Sequence, residues 1–131
     1  MQNKKYIKKI ATGLLIFLVI LFLSYKYLYH EHRDISNEKA LFSLTANEIL
    51  KDFLLDESKA NLKYLDKSIT ITGKITNIDT KNNTIVIDEK VFVLLKKIPV
   101  VKQSEVIIVQ GRVIGYDSLL EEIKLDQAEI K

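Results

Sequence analysis

Residues 68–76, SITITGKIT, carry the strongest secondary-structure signal in this chain of 131 residues. An isoleucine or a glycine stands at every second position from Ile69 to Ile75, with polar residues between them. Because successive side chains of a β-strand point to opposite faces, this alternation predicts a strand with one buried face. Gly73 inside the strand and a break of the alternation at Ile78 indicate a sharp bend, as in a strand that curves around a small barrel.

Four more strands are predicted downstream, each a short apolar run bounded by turn residues. They occupy residues 84–88, 90–95, 105–116 and 123–130. The connections are predicted to be a turn at 79–83, a tight corner at 88–89, an irregular segment containing the single proline at 96–104, and a polar loop at 117–122. Gly111 and Gly115 are expected to bend the fourth strand. Five short strands, the first of them bent, are the strand set of an OB-type barrel.

An amphipathic helix is predicted before the barrel. Thr45 and Glu48 have the spacing of a capping box, in which each side chain accepts a hydrogen bond from the backbone of the other. Apolar residues then recur at helical spacing, and the polar run 56–59 is predicted to bend the helix. The apolar positions are Ile49, Leu50, Phe53, Leu54, Ala60, Leu62, Tyr64 and Leu65. We expect this stripe to cover one end of the barrel, and binding of a partner is the alternative.

The sequence from residue 50 to residue 74, LKDFLLDESKANLKYLDKSITITGK, resembles the tRNA-anticodon-binding-like OB family, a group of bacterial envelope proteins. The matching positions are Ala60, Tyr64, Lys67 and Gly73, and further along Gly111, Gly115 and Tyr116 in VIIVQGRVIGYD. The resemblance covers residues 45–131 and implies the OB fold, since its motifs are packing and turn residues. The family label also implies a nucleic-acid-binding relative. Asp66 departs from the family, which more often has a turn glycine there.

An apolar run, IATGLLIFLVILFL at residues 10–23, precedes the domain. No charge falls between Lys9 and Lys26, so 16 residues are uncharged. As a helix they span about 24 Å, a little less than a hydrocarbon core of ~30 Å. The flanking lysines can extend their charged ends to the interface, and the nearby tyrosines suit the same position. The run therefore predicts a transmembrane anchor.

The charges around this run set the orientation. Lysines 4, 5, 8 and 9 precede it, and Lys26 and Arg33 are the nearest basic residues after it. The positive-inside rule then predicts a single-pass protein with a cytoplasmic N-terminus and a periplasmic or extracellular domain. The family resemblance implies that the membrane is the bacterial inner (cytoplasmic) membrane. A cleaved signal peptide is the main alternative, but bulky residues surround Ser24, where a cleavage site requires small ones. A lipoprotein anchor would require a cysteine, and the chain has none.

Charge and length divide the chain into three regions. The predicted boundaries are a basic tip and anchor at 1–29, a juxtamembrane stalk at 30–44 and an OB-fold-like domain at 45–131. The net charge of +3 comes from the N-terminal part, because residues 35–131 carry 14 basic and 15 acidic side chains, a net charge of −1. Without cysteine there is no disulfide, thiolate metal site or thiol nucleophile.

The histidines and glycines form no recognisable site. A catalytic triad would require a histidine in the domain, but His30 and His32 both stand beside the anchor. Two histidines two residues apart do not share a helix face, so we expect no metal site there. The four glycines are isolated, and none opens a helix as a phosphate-binding glycine would.

The acidic residues give no better case for catalysis. Asp79 with Asp88, and Glu121 with Glu122, could be proposed as carboxylate pairs, but all four are turn or loop positions where solvated acids are expected. Asp79, Asp88 and Glu89 lack the alternating oxygen ligands of a dedicated calcium site. We predict that the protein is not an enzyme, with no cofactor and no metal, and the ligand-binding residues stay unassigned.

The predicted function is therefore a membrane-anchored binding module for an envelope protein or glycan, with no small-molecule substrate. One alternative is a nucleic-acid-binding OB protein. Another is an accessory subunit of a membrane complex that makes its contact through the helix, although the anchor lacks small residues four apart. Ala11, for example, is followed four residues later by Leu15.

Nucleic-acid binding is not expected, because the domain lacks the basic excess that phosphate binding requires. Local basic clusters remain open. Lys96, Lys97 and Lys102 are close in sequence, and Lys74 and Arg112 could be neighbours on adjoining strands. Aromatic rings for base stacking are scarce as well. Phe92, within VFVLL, is interpreted as a core residue, and Tyr116 as a ring in a loop.

Overall fold

The computed structural model of the protein describes residues 2–29, 34–35 and 37–131. They fall in two compact units, Met1–Arg33 and Asp34–Lys131. The elements in chain order are α1 (Gln2–Leu28), β1 (Phe42–Thr45), α2 (Ala46–Leu55), α3 (Glu57–Tyr64), β2 (Ser68–Asp79), β3 (Thr84–Ile87), β4 (Val91–Leu95), β5 (Val106–Asp117) and β6 (Glu122–Ile130).

The described part of the first unit contains one apolar helix, α1. Its segment Asn3–Leu28 is long and apolar enough to cross a membrane, and it is the one such segment within the described residues. Every large apolar side chain from Ile10 to Leu23 is at least half exposed. A helix of this length and composition suits a membrane anchor or a signal sequence.

The second unit is built on a closed barrel. Its sheet has the strand order β1-β2-β3-β4-β6-β5, and β2 also pairs with β5, which closes β2 to β6 into five strands. Within the barrel β4 and β6 run parallel, and the other pairs are antiparallel. The predicted fold class, a mainly β protein with an N-terminal apolar helix, a preceding amphipathic helix and a five-stranded OB-type barrel, is confirmed.

The first barrel strand, β2, bends as its sequence predicts. The register with β3 shifts between Ile75 and Asn77, which places a bulge at the predicted break of phase. A Cβ atom on Gly73 would lie 2.5 Å from Asp88 Oδ2 and would collide with the Ile87 side chain. The strand can therefore pass this close to its neighbour only where the residue has no side chain.

Six turn residues among the described residues adopt the left-handed conformation, which Asn and Asp tolerate better than most residues. Asn83 has φ 54° after β2, and Asp88 and Glu89 have φ 50° and 57° in the corner between β3 and β4. Asp66, where the resembling family more often has glycine, has φ 60°. Its turn thus keeps a conformation that favours glycine.

The helices follow the predicted pattern with one break. The backbone N–H of Glu48 donates to Thr45 Oγ1 at 3.3 Å, and that of Thr45 donates to Glu48 Oε2 at 2.7 Å, so the capping box is formed. Asp56 ends α2 and caps α3, because its side chain accepts from the N–H of Lys59. This is the predicted bend.

The apolar stripe of the helices packs on the barrel over part of its predicted length. The members that belong to the core are Ile49, Leu50, Phe53, Ala60 and Tyr64. The prediction is wrong for three leucines, which are 56%, 81% and 44% exposed: Leu54, Leu62 and Leu65. Leu62 and Leu65 follow the break at Asp56, which changes the direction of the chain, so a single helical period does not describe both helices. Leu54 precedes the break, and its place in the helical period puts it at the edge of the α2 stripe.

Strand β1 was not predicted. It pairs in parallel with the start of β2, with Phe42 opposite Ile69, and so adds an edge strand to the barrel. It lies in the region predicted as a stalk, whose boundaries stay predictions. The pair His30 and His32, considered above as metal ligands, lies outside the described residues.

Candidate ligand-binding surface

Four of the five aromatic rings in residues 37–131 join the helices to the barrel. Phe42 contacts Tyr64 edge-on at 5.2 Å between ring centroids, and Tyr64 lies 6.1 Å from Phe53. Phe53 stacks on Tyr116 at 5.0 Å with planes inclined by 24°. Contacts of this kind stabilise a fold by about 0.5–1.5 kcal/mol each beyond area burial. Tyr116 therefore belongs to β5 and to the packing, and the prediction of a loop ring is wrong.

The fifth ring, Phe92, is not part of this aromatic row. On β4 the side chains of Val91, Val93 and Leu95 are buried, whereas Phe92 is half-buried and Leu94 is 42% exposed. Because side chains alternate along a strand, Phe92 points to the outer face of the barrel. Its interpretation as a core residue is wrong.

Phe92 lies in the middle of a row of residues that are paired across neighbouring strands of the barrel, called here the cross-strand row. It is opposite Val86 on β3 and opposite Lys124 on β6. The cross-strand row continues from Val86 to Asn77 on β2 and from Lys124 to Gly115 on β5. None of the five is buried, and a Cβ on Gly115 would have nothing within 4 Å. The result is an open surface that carries the Phe92 ring, the Lys124 ammonium group and the uncovered backbone of Gly115.

The loop between β5 and β6 borders this surface. Asp117 accepts from the backbone N–H groups of Leu119 and Leu120 at 3.0 and 3.1 Å, which shapes the turn. The two leucines are 94% and 65% exposed. Lys124 forms a salt bridge with the other carboxylate oxygen of Asp117 at 3.5 Å and so connects the cross-strand row to the loop. In OB folds the second and third strands and this loop form the usual ligand face.

The predicted pair of Lys74 and Arg112 does not form. In the register of β2 and β5, Arg112 is opposite Ser68, whereas Lys74 is opposite Val106, six positions away. The Arg112 guanidinium instead donates to both carboxylate oxygens of Asp126, at 2.9 and 2.6 Å. That bidentate contact with Asp126 raises the pKa of Arg112 and pairs its positive charge within the domain.

Neither acid pair considered above was predicted to be catalytic, and the structure gives Asp79 and Asp88 separate structural contacts. Glu121 lies in a turn as expected, but Glu122 is the first residue of β6, so its assignment to a loop is wrong. Asp79 accepts from the Asn82 side chain and from the N–H groups of Asn82 and Lys81, and these hydrogen bonds lower its pKa, the side-chain bond first, and stabilise the turn. Asp88 accepts from the N–H of Lys74 at the opposite end of β3. No group of three or more potential metal-ligating side chains occurs among the described residues.

A polar cluster joins α2 to α3 and consists of Asp52, Lys63 and Tyr64. Asp52 accepts from the Tyr64 hydroxyl at 2.5 Å and from Lys63 Nζ at 2.9 Å. The Tyr64 bond first, and the Lys63 bond second, lower the pKa of Asp52. Lys63 also lies over the Tyr64 ring, 4.7 Å from its centroid. Because these groups satisfy one another, the cluster is a structural element.

A closed five-stranded barrel of this topology defines an OB-fold domain, and in this chain the domain follows an apolar N-terminal helix. Comparison with known sequences gives the family: the tRNA_anti-like profile matches residues 1–118, and the chain belongs to that family. This confirms the resemblance seen in the sequence.

One solved structure supports the same fold. It is a crystal structure at 2.46 Å resolution of a protein from Klebsiella pneumoniae subsp. pneumoniae, described as a candidate nucleic acid-binding lipoprotein. The TM-score is 0.51 at 15% identity, over 68% of this chain and 90% of that one. At this identity the likeness concerns the fold alone. No curated protein matches the chain.

Proposed function

We propose that the protein is a membrane-anchored, extracytoplasmic OB-fold binding module. We propose further that it binds an envelope protein or glycan on the cross-strand row that contains Phe92. The observation that carries the proposal is the outward Phe92 between Val86 and Lys124. Val86 and Phe92 lie on the second and third barrel strands, which OB folds use for ligands, and Lys124 lies on the neighbouring fifth strand. A ring beside an ammonium group offers apolar contact and polar bonding to a flat partner. The protein acts by binding, without catalysis.

The anchor proposal is supported by α1 and the charges around it. Four lysines precede the apolar run, and bulky residues surround Ser24, which makes a poor cleavage site. The N-terminus would then be cytoplasmic and the barrel periplasmic or extracellular. A protein in that position meets envelope proteins and glycans far more often than RNA or DNA.

The anchor is tested by topology. Protease added to sealed spheroplasts is expected to digest the barrel, and the intact mass of the membrane-bound protein should include the N-terminal residues. A mature N-terminus after residue 24 would contradict the anchor, and protection of the barrel in sealed spheroplasts with digestion after lysis would contradict the orientation.

The binding face is tested by site-specific photocrosslinking in intact cells. A photoreactive residue at Phe92 is expected to form discrete adducts with a protein or glycan, and Lys124→Glu should weaken them. Leu62 on α3 is 81% exposed and serves as the control position. Equal adducts at both positions, or adducts unaffected by Lys124→Glu, would contradict the proposed face.

A further inference from the structure

The hairpin turn that joins β5 to β6 holds two leucines in solvent. Leu119 is 94% exposed and Leu120 is 65% exposed. Asp117 accepts from the backbone N–H groups of both, at 3.0 and 3.1 Å, so the turn that presents them is defined. Single exposed leucines are common on protein surfaces, so the meaning of this pair depends on what surrounds it.

The domain itself gives no reason for a glycine at position 115, two residues before Asp117. The φ angle of Gly115 is not positive, so the bulge beside it does not require glycine. A Cβ atom there would have nothing within 4 Å, whereas a Cβ on Gly111 would lie 2.9 Å from that of Ala128. Gly115 therefore leaves the backbone open to a partner, about 7 Å along the strand from Asp117.

Carboxylates lie close together at this end of the barrel. The pKa of Tyr116 is raised by burial first, and then by the charges of Glu121, Glu57 and Asp117, so these three carboxylates lie near one ring. Among residues 34–35 and 37–131, Glu121 and Glu122 form no salt bridge. Their charges are therefore available to a partner.

The acidic excess of the domain is concentrated here. The segments at this end are 56–59, 89–90 and 115–124, and the second is joined to the third because the N–H of Ile123 donates to the Lys90 carbonyl at 2.8 Å. Together they carry six acidic and three basic side chains, a net charge of −3. The whole domain has a net charge of −1, so the rest of it sums to +2. A surface of this charge attracts cations and repels phosphates and acidic sugars.

We propose that the partner on this surface is a protein segment that carries apolar and basic side chains. Its apolar side chains pack on Leu119 and Leu120, its basic side chains meet Glu121 and Glu122, and its backbone lies over Gly115. The inference rests on the proposed binding function and narrows the partner from a protein or glycan to a protein. Sugar hydroxyl groups packed on the leucines would lose their hydrogen bonds to water without replacement.

The test uses the full chain in nanodiscs of phosphatidylcholine, with empty nanodiscs as the blank. The probes are fluorescent pools of short random peptides made of lysine and leucine, of glutamate and leucine, or of lysine and serine. A neutral oligomer of N-acetylglucosamine represents the glycans. We expect fluorescence anisotropy to show binding of the lysine–leucine pool alone, with an affinity that falls as salt rises.

Matched variants locate the contact. Leu119→Ser should weaken binding of the lysine–leucine pool about tenfold through lost apolar burial, whereas Leu62→Ser, 81% exposed on α3, should not. Glu121→Lys should weaken the same binding and allow the glutamate–leucine pool to bind. Glu105→Lys, an exposed position next to the other end of β5, should do neither. Gly115→Val should weaken binding while the protein stays folded.

Binding that survives Leu119→Ser or Glu121→Lys, equal binding of the glutamate–leucine pool, or no peptide binding would overturn the inference. Binding of the N-acetylglucosamine oligomer alone, lost in Phe92→Ala, would leave the proposed face standing and overturn the protein partner. Peptide binding that depends on Leu119, without adducts at position 92 in cells, would support the protein partner and contradict the face around Phe92. Absence of both peptide binding and adducts would overturn both.

Discussion

The side-chain amide of Gln110, on β5, donates to the backbone carbonyl of Glu38 at 2.6 Å, across 72 positions of sequence. The same nitrogen lies 3.0 Å from the carbonyl of Ile35 and 2.9 Å from Ser68 Oγ. Gln110 is 6% exposed and Ile35 is fully buried. This amide therefore holds the segment before β1 against the barrel.

Replacing Gln110 by Met should release that segment. The carbonyl groups of Ile35 and Glu38 would lose the amide of Gln110, although Ile35 keeps the Glu38 N–H and the Ser68 hydroxyl as donors. A hydrogen bond of this kind contributes about 0.5–1.5 kcal/mol. We expect a lower free energy of unfolding and faster amide hydrogen exchange in residues 38–45. Gln103→Met is the control, because Gln103 donates to the Thr76 carbonyl at 3.0 Å from an exposed position. Unchanged exchange in residues 38–45 would show that Gln110 does not hold the segment.

Gly73 should tolerate no side chain. Val at this position would collide with Ile87 and Asp88, and we expect destabilisation of about 1–3 kcal/mol. Thermal unfolding followed by near-ultraviolet circular dichroism of the full chain in detergent measures it. Gly115→Val tests the same substitution in open space and should cost less. Equal melting temperatures for the two variants would count against the close strand approach at Gly73.

Asp52 should make the stability pH-dependent. Its pKa is lowered in the folded state by the hydrogen bonds from Tyr64 and then Lys63, so its contribution is present above the unfolded-state pKa of about 3.9. The contribution is lost as pH falls through the lower folded-state pKa. Asp52→Asn should therefore be less stable than the wild type at neutral pH, and the difference should shrink in acid.

Chemical denaturation at several pH values measures this effect. Tyr64→Phe removes the larger of the two causes and should reduce the same pH dependence. A stability difference between the wild type and Asp52→Asn that stays constant from neutral pH to below pH ~3 would show that Asp52 is not held as the structure indicates.

The purified protein should not bind a single-stranded oligonucleotide with micromolar affinity at ~150 mM salt. The domain has a net charge of −1, Arg112 is engaged by Asp126, and Phe92 is one ring where base stacking usually requires several. Fluorescence anisotropy over a range of salt concentrations measures the affinity. Micromolar binding that weakens steeply with salt would contradict the prediction.

The sequence predicted the features that depend on near neighbours. The alternation from Ile69 to Ile75 corresponds to a strand with a buried face, the Thr45 and Glu48 pair to a capping box, and the Asp79 turn to an Asp-stabilised loop. Each depends on residues within a few positions, whose spacing is visible directly. The five strand signals and the bent first strand already indicated an OB-type barrel, and the resemblance to the family supported it, because the family's motifs are packing and turn positions.

The tertiary structure decided everything that depends on register between distant segments. VFVLL is apolar at every position, so only its pairing shows that Val93 points inward and Phe92 outward. The strand β1 exists because β2 offers it an edge. Arg112 lies beside Asp126, and not beside Lys74, because a six-position offset along two strands is invisible in the sequence. Local periodicity specifies which face of an element is apolar, whereas strand pairing specifies which distant residues that element meets.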